Sequence, residues 1–348
     1  MFFVDDERWT SSVSLLGAFL WAVLAALAGS GIAPLGVIEL LFLFAPLVAV
    51  PLGFALLERI SVHEIGWAER AARAVQPLAA LSLVVGFWRG RGPGTIAGLM
   101  SVPWATVCGA VAFSGLVQLG RRISLTNFVG SIARIDLGVA GIFLLLSRFG
   151  IHLRFQEPIV LLTAVHFHFS GFATSAIALG GLRFAERSTR RRAWIVVATA
   201  VSVLPSGLAA GFVFSPILKV VSAVLFSTAV AALACLLFEE SREFHLRTAR
   251  IFIGLATASV IAGMTLAATY AVGEYLHRDW ITIPRMASTH GWINALGFAM
   301  PALLGCLAEL RAEAETLPTS LLSHSQDSRQ HRTKIARPRF VARDFYDL

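Results

Sequence analysis

Long apolar segments alternate with short polar ones along the chain, and this pattern predicts membrane-spanning helices. A spanning helix needs about 20 mostly apolar residues, because roughly 30 Å of hydrocarbon is crossed at about 1.5 Å per residue. The position-by-position alternation of polarity that marks membrane β-strands is not visible. The sequence therefore predicts an all-α fold, a polytopic transmembrane helix bundle of about ten spans, at 12–31, 35–57, 75–88, 95–119, 132–149, 158–182, 193–213, 216–238, 251–275 and 287–309.

The third and fifth segments are the weakest of the ten, since the third is short and the fifth contains Arg134 and Asp136 near its start. The distribution of Lys and Arg tests them, because short cytoplasmic loops collect these residues. With ten spans, 22 of the 29 Lys and Arg residues fall on the side of both termini and 6 on the other, whereas deleting the third span gives 18 and 10. The charges therefore favour ten spans, with the N- and C-termini in the cytoplasm.

Composition agrees with this architecture and excludes other classes of protein. The chain has 348 residues, 56% of them hydrophobic and 14% charged, and its mean hydropathy is +0.73. In soluble domains about a quarter of the residues are charged. Three cysteines are also too few for a disulfide scaffold of this length. A soluble globular protein and a disulfide-rich scaffold are therefore both excluded.

The polar end of the chain is predicted to lie outside the membrane domain. Residues 1–310 form the transmembrane helical domain, and residues 311–348 a polar, basic and disordered cytoplasmic tail. Five of the eleven residues in 329–339 are Lys or Arg, a pattern that favours anionic lipid headgroups at about 1 kcal/mol per basic residue. Membrane lipids are thus the expected partners, and the net charge of +8 requires no nucleic acid. Residues 58–74 are predicted to form a short interfacial helix.

The sixth span contains polar side chains at helical spacing. His166, Ser170 and Thr174 follow an i, i+4, i+8 pattern, and with Thr163 they form one polar stripe on a regular helix. Such groups are costly inside a membrane, so each is expected to have a partner or a function. His168 lies two residues from His166 and points about 200° away from it, unless the helix is distorted near Gly171.

The tenth span contains a second polar cluster near its start. His290, Asn294 and Gly297 share one helical face, and Gly291 allows another helix to come close. In the predicted topology His166 and His290 lie at a similar depth in the outer half of the membrane. The favoured pair is therefore His166 with His290, from two different helices.

Carboxylates are predicted to gather on the same side of the membrane. Glu39 lies one turn into the second span, Glu157 precedes the sixth, and Glu274 ends the ninth. Arg134 and Asp136 are predicted to lie near the inner surface, as an interfacial charge pair. This distribution predicts a polar cavity that opens outwards.

Three kinds of chemistry fit these residues, and the sequence leaves all three open. Neutral imidazoles bind transition metals or haem iron in many proteins, and His166, His168 and His290 are the candidates here. No H-E-x-x-H or C-x-x-C-H motif accompanies them. Imidazoles also relay protons. Alternatively, the histidines and Asn294 hydrogen-bond the polar head of an organic ligand. No P-loop, G-x-S-x-G or Asp-rich prenyl-diphosphate motif is present.

Two motifs carry a family resemblance. The segments HFHFSGF, at 166–172, and THGWINALGF, at 289–298, resemble the YndJ-like family of bacterial membrane proteins. The resemblance covers roughly 157–310, whereas the first half is similar only through generic apolar spans. It implies a polytopic protein of the bacterial inner membrane in which His166, His168, His290 and Asn294 form one site. It does not choose between transport and chemistry.

The first functional hypothesis is a transporter of a small solute or a lipid-like molecule, with a His/Asn site in the outer half of the bundle. The second is an intramembrane enzyme acting on a lipid or isoprenoid, with histidines as metal ligands or acid/base groups. A third is a sensory or assembly factor that uses the basic tail. Whether the chain is an enzyme stays open at this stage. The substrate- or proton-binding residues are predicted to be His166, His168, Ser170, His290, Asn294, Glu39 and Glu274, and those for a metal His166, His168 and His290.

Overall fold

The computed structural model describes residues 6–60, 65–89, 92–121, 124–152, 155 and 157–316, and these residues contain helices and no strand. Ten helices are long and apolar enough to cross a membrane, so the predicted helical class and the number of spans are confirmed. The helices are α1 (Asp6–Gly29), α2 (Val37–Ile60), α3 (Trp67–Arg89), α4 (Thr95–Leu119), α5 (Leu125–Phe149), α6 (Ile159–Phe184), α7 (Arg191–Phe214), α8 (Pro216–Ser241), α9 (Arg247–Tyr275) and α10 (Ile283–Glu315).

The third span begins earlier than predicted, and the proposed interfacial helix at 58–74 is wrong. Helix α2 continues to Ile60 and α3 already starts at Trp67, while 61–64 lie outside the described residues. The charged residues Glu69 and Arg73 are tolerated near the start of α3 because they are paired. Arg73 contacts Glu69 of its own helix at 2.7 Å and Glu58 of α2 at 2.9 Å.

The fifth span also begins earlier, which changes the depth of its charged residues. The Ser124 hydroxyl accepts a hydrogen bond from the Asn127 backbone N–H (3.1 Å), and this N-cap starts α5 seven residues before the predicted position 132. Arg134 and Asp136 therefore lie within the helix, buried at 1% and 2% exposure, and not near the inner surface. The expected pair between them is not formed, because residues two apart on a helix point in different directions.

The last helix extends beyond the predicted end of the membrane domain. Its final α-helical stretch begins at Met300 and passes residue 310. The remainder of the tail, including the basic segment 329–339, lies outside the described residues. The cytoplasmic location of the two termini stays a prediction.

Three helices combine deep burial with π-helical turns, and they pack against one another in the centre of the bundle. Burial is greatest in these three helices. In the most apolar stretch of each, 94% of the residues are buried in α2, 72% in α6 and 61% in α10. The π turns are Ala45–Ala49 in α2, Phe167–Ala173 in α6, and Ala287–Gly291 and Ile293–Ala299 in α10. Such turns are rare, and they are frequently found at functional sites.

Proline chemistry explains how the π turn of α2 is tolerated in a buried position. The Val50 N–H donates to the Ala45 carbonyl, five residues back. The next bond of this type would come from Pro51, which has no N–H. The Pro46 carbonyl that is left free accepts a hydrogen bond from Gln76 Nε2 of α3 (2.7 Å). A side chain of the neighbouring helix thus replaces the missing backbone donor.

Candidate functional site

A cavity of about 290 Å³ lies between α6, α7, α8, α9 and α10. Most of its lining is apolar, with aromatic side chains such as Phe143, Phe155 and Phe212. Its polar and charged lining residues are Thr163, His166, Ser170, Lys219, Tyr270, Glu274, His290 and Asn294. A mostly apolar cavity with a few polar groups is typical of sites for small organic ligands.

The polar groups of the cavity form two layers. Helices α6, α8 and α10 begin, and α7 and α9 end, at the same end of the bundle, which is the predicted outer end. Lys219 and Glu274 lie near these helix ends. His166 and His290 are each seven residues inside their helices, which corresponds to about 10 Å of helical rise. The cavity therefore has a charged mouth and a deeper, uncharged polar layer.

The mouth of the cavity contains an ion pair between Lys219 and Glu274, next to the ring of Phe212. Lys219 Nζ lies 2.7 Å from Glu274 Oε1 and 4.8 Å from the ring centroid of Phe212. The side chains are 19% and 39% exposed, respectively. The pair is reachable from outside, and its charges compensate one another.

The deep layer is ordered by the backbone of α9. His290 Nδ1 donates to the Gly263 carbonyl (2.8 Å), which leaves Nε2 as the acceptor of the ring, and Asn294 Nδ2 lies 3.0 Å from both ring nitrogens. Gly263 permits this approach, because a Cβ there would lie 2.5 Å from Asn294 Oδ1. That oxygen is buried and makes no hydrogen bond with the described residues. The α9 backbone thus fixes both the tautomer and the orientation of His290.

His166 faces the same cavity from α6. Its Nδ1 donates to the Leu162 carbonyl one turn earlier (2.7 Å), which leaves Nε2 as a hydrogen-bond acceptor. His166 lies inside the bundle, but its side chain is exposed and lines the cavity together with Ser170. His166 and His290 therefore line the same cavity, and their functional pairing stays a prediction.

His168 does not belong to this cavity, in contrast to the sequence-based grouping. It is fully buried, its Nδ1 donates to the Ala164 carbonyl (2.8 Å), and its Nε2 accepts from Trp104 Nε1 of α4 (3.0 Å). Both ring nitrogens are therefore engaged. The described residues contain no group of three His, Cys, Asp or Glu side chains placed to hold a metal ion. The predicted ligand set His166, His168 and His290 is therefore not assembled in the described structure.

Two further sequence-based assignments differ from the observed lining. Thr174 is buried outside the cavity, and its hydroxyl donates to the Phe169 carbonyl (3.0 Å). The π turn before it rotates the helix and breaks the i, i+8 relation with His166. Glu39 is also outside the cavity, since its Oε2 accepts from the Gly36 backbone N–H (3.1 Å) at the start of α2.

The sequence reasoning missed Lys219 and Tyr270 as lining residues. Lys219 could have been found, because it lies inside the predicted eighth span. It is the one Lys or Arg residue that is counted on neither side of the predicted topology. Tyr270 lies one turn before Glu274, a spacing that places both on one helical face. The contribution of α7 could not have been found, since its lining residues, among them Pro205, Leu208 and Phe212, are ordinary apolar residues of a span.

Comparison with known proteins identifies the family. The family model described as YndJ-like protein matches residues 40–298, about three quarters of the chain. The chain belongs to the YndJ-like family. The match begins at residue 40, so the similarity is not restricted to the second half as the motifs suggested. It also includes every residue that lines the cavity.

One curated relative adds the membrane location. The chain is 29% identical over 153 residues to the uncharacterized membrane protein YndJ of Bacillus subtilis (strain 168). The aligned part is 44% of this chain and 27% of that protein, so the chain spans about a quarter of the relative's length. No solved structure matches the chain. With ten helices of spanning length, this YndJ-like protein is a multi-pass membrane protein.

Proposed function

We propose that this YndJ-like protein is a transporter of an amphipathic, lipid-like molecule in a bacterial inner membrane. The observation that carries the proposal is the layered cavity, in which apolar walls surround a deep polar layer below a charged mouth. An amphipathic molecule matches this arrangement, because its polar head finds hydrogen-bond partners while its chain contacts the apolar wall.

The deep layer offers donors and acceptors to such a polar head. His166 Nε2 is an acceptor without a protein partner in the described structure, and the Ser170 hydroxyl lies one turn further along the same cavity wall. His290 and Asn294 form the facing wall. The head would therefore be held between α6 and α10.

The same two helices provide a means of conformational change. Both contain π turns next to the polar layer, Phe167–Ala173 in α6 and Ala287–Gly291 in α10. Many transporters bind their substrate beside irregular helices, whose local rearrangement opens the site to one side and then to the other. In this proposal the π turns of α6 and α10 perform that rearrangement.

Photo-crosslinking tests ligand binding. The protein in lipid nanodiscs is irradiated with a long-chain fatty acid that carries a diazirine and an alkyne, and labelled peptides are mapped by mass spectrometry. We expect label in the cavity-lining segments of α6 and α10. His290→Ala should reduce labelling about tenfold, the effect of losing one good hydrogen bond. His152→Ala is the matched control, because His152 is exposed in a loop outside the cavity.

Translocation is tested in proteoliposomes. Phosphatidylglycerol with a fluorescent headgroup label is placed in both leaflets, and the fraction that dithionite bleaches from outside is followed over time. Transport predicts bleaching beyond the outer-leaflet fraction, slowed in His166→Ala and His290→Ala. Equal bleaching with and without protein, together with label spread evenly over the lipid-facing surface, would refute the proposal.

A further inference from the structure

Asp136 is a buried carboxyl group in the middle of a membrane-spanning helix. It is the twelfth residue of α5, about 16 Å from the start of that helix by helical rise. Its side chain is 2% exposed. Of the three buried carboxyl side chains in the described part of the chain, Glu69 is paired with arginines and Glu309 accepts two backbone N–H groups. Asp136 has no such partner, and its Oδ2 makes no hydrogen bond with the described residues.

The groups that face Asp136 supply no compensating cation. Helix α5 packs mainly against α4, α6 and α7, and it contacts α3 through Arg134 and Glu69. The only titratable side chain of α4 is Cys108, and those of α6 are His166, His168 and Arg183. Helix α7 carries only Arg191 and Arg192, at its start.

None of the arginines is placed to neutralise this carboxyl. Arg183 is twelve residues beyond Gly171 on α6, and Arg148 is twelve residues beyond Asp136 on α5, about 18 Å in each case. Arg134, two residues before Asp136, is directed to Glu69. An ionised carboxylate without a cation or donor is very costly in such surroundings. The observed conformation therefore accommodates Asp136 as the neutral acid, with a bound proton.

The carboxyl lies directly against the π turn of α6. A Cβ added at Gly171 would lie 2.6 Å from the Cβ of Asp136 and 2.8 Å from its Oδ2. Gly171 follows Ser170, which lines the cavity, and both belong to the π turn Phe167–Ala173. One irregular turn thus contacts the buried acid through Gly171 and lines the cavity through Ser170.

We propose that Asp136 is a proton-binding site whose occupancy controls the π turn of α6 and, through it, the cavity. Loss of the proton leaves a carboxylate that must gain water or a donor, which requires Gly171 and its neighbours to move. Because linkage is reciprocal, the state of the cavity in turn changes proton affinity. Coupling of this site to transport rests on the proposed function, whereas proton binding and movement of the turn do not.

Infrared spectroscopy of the reconstituted protein tests the bound proton. A protonated carboxyl gives a C=O stretching band that moves to lower frequency in D₂O. We expect such a band in the wild type and in Glu243→Gln, which removes an exposed carboxyl, and its loss in Asp136→Asn. A carbon-13 label at the aspartate carboxyl should shift the band in the wild-type protein, so the assignment does not depend on the variant folding. Absence of an aspartate band would overturn the proposal.

Thiol alkylation tests the movement of the turn without any ligand. Ser170→Cys and Thr163→Cys both place a thiol on the cavity wall, but only position 170 lies within the π turn. At pH values well below both thiol pKa values, thiolate formation raises both alkylation rates by the same factor, so their ratio is independent of pH unless accessibility changes. With Asp136 present, we expect this ratio to change with pH by on the order of fivefold or more. Combined with Asp136→Asn, it should stay constant.

An identical pH curve in both backgrounds would overturn the control of the turn by Asp136. Failure of the proposed function is distinguishable from this result. A carboxyl band and a pH-dependent ratio, found without photo-crosslinking in the cavity, would support the proton site and reject lipid-like transport.

Discussion

Arg134 Nε lies 2.9 Å from Glu69 Oε2, and both side chains are almost completely buried between α3 and α5. The Ser114 hydroxyl of α4 donates to the same carboxylate oxygen at 2.9 Å. Arg73 connects Glu69 further to Glu58 of α2. The first half of the bundle therefore contains a polar network that joins four helices, α2 to α5, and it is separate from the cavity in the second half.

Removing one member of this network should be strongly destabilising. In Arg134→Met, Glu69 loses a buried cationic partner, and breaking a buried pair costs about 3–5 kcal/mol. We expect a clear fall in the thermal unfolding temperature of the purified protein. Arg183→Met, which removes exposed ion pairs with Glu186 and Glu313, should cost about 0–1 kcal/mol. Equal losses in the two variants would contradict a special role of the buried network.

Adding Glu69→Gln to Arg134→Met provides an internal check. The double variant removes the isolated charge, so part of the lost stability should return. Arg73 then loses one of its two carboxylate partners, which limits the recovery. A double variant less stable than Arg134→Met would show that the carboxylate itself contributes more than its pairing with Arg134.

The ten spans were predictable from the sequence, because apolar length alone decides whether a helix can cross the hydrocarbon layer. The starts of α3 and α5 were not, since they depend on partners for Glu69 and Arg134 that lie 65 residues apart in the chain. When spans are predicted from the length of apolar segments, a charged residue is taken as the end of a span. The fold includes such residues within helices when a neighbouring helix supplies the opposite charge.

The polar site was predictable only in part, and the π turns explain the difference. His166 and His290 could be paired from their similar depth. The position of His168 depends on Trp104, and that of Thr174 on the extra residue in the π turn. Periodicity arguments assume 3.6 residues per turn. They therefore fail after a π turn.

Trp104 should stabilise the protein through its bond to His168. Trp104→Phe keeps an aromatic side chain but leaves His168 Nε2 buried without a donor, at a cost of about 1–3 kcal/mol for the hydrogen bond, to which the lost buried volume adds. Thermal unfolding measures the loss. Trp88→Phe is the matched control, because Trp88 is 37% exposed, and it should change little. If Trp104→Phe is as stable as the wild type, the hydrogen bond contributes nothing.

Metal content separates the transporter from the metalloenzyme hypothesis. Because His168 is engaged by Trp104 and by its own helix, His166 and His290 lack a third ligand in the described structure. We expect wild type and His166→Ala to contain equal, substoichiometric amounts of transition metal and to show no haem absorption band. One metal per wild-type protein, lost in His166→Ala, would establish a metal site and contradict this geometry.

The predicted orientation places the cavity mouth on the outer side of the membrane, and cysteine labelling tests it. Asp279 lies in the exposed loop between α9 and α10, at the end of the bundle that carries the mouth, and Thr189 lies in an exposed loop at the opposite end. The native Cys108 and Cys306 are buried, whereas Cys235 is exposed on α8, so the labelling of the wild type is measured and subtracted. Each site is therefore tested in turn by Asp279→Cys and Thr189→Cys, with the wild type as background.

The positive-inside distribution of Lys and Arg predicts that a membrane-impermeant maleimide labels Asp279→Cys in spheroplasts, but Thr189→Cys only after lysis. The reverse pattern would place the mouth in the cytoplasm, so any ligand would enter the cavity from inside the cell.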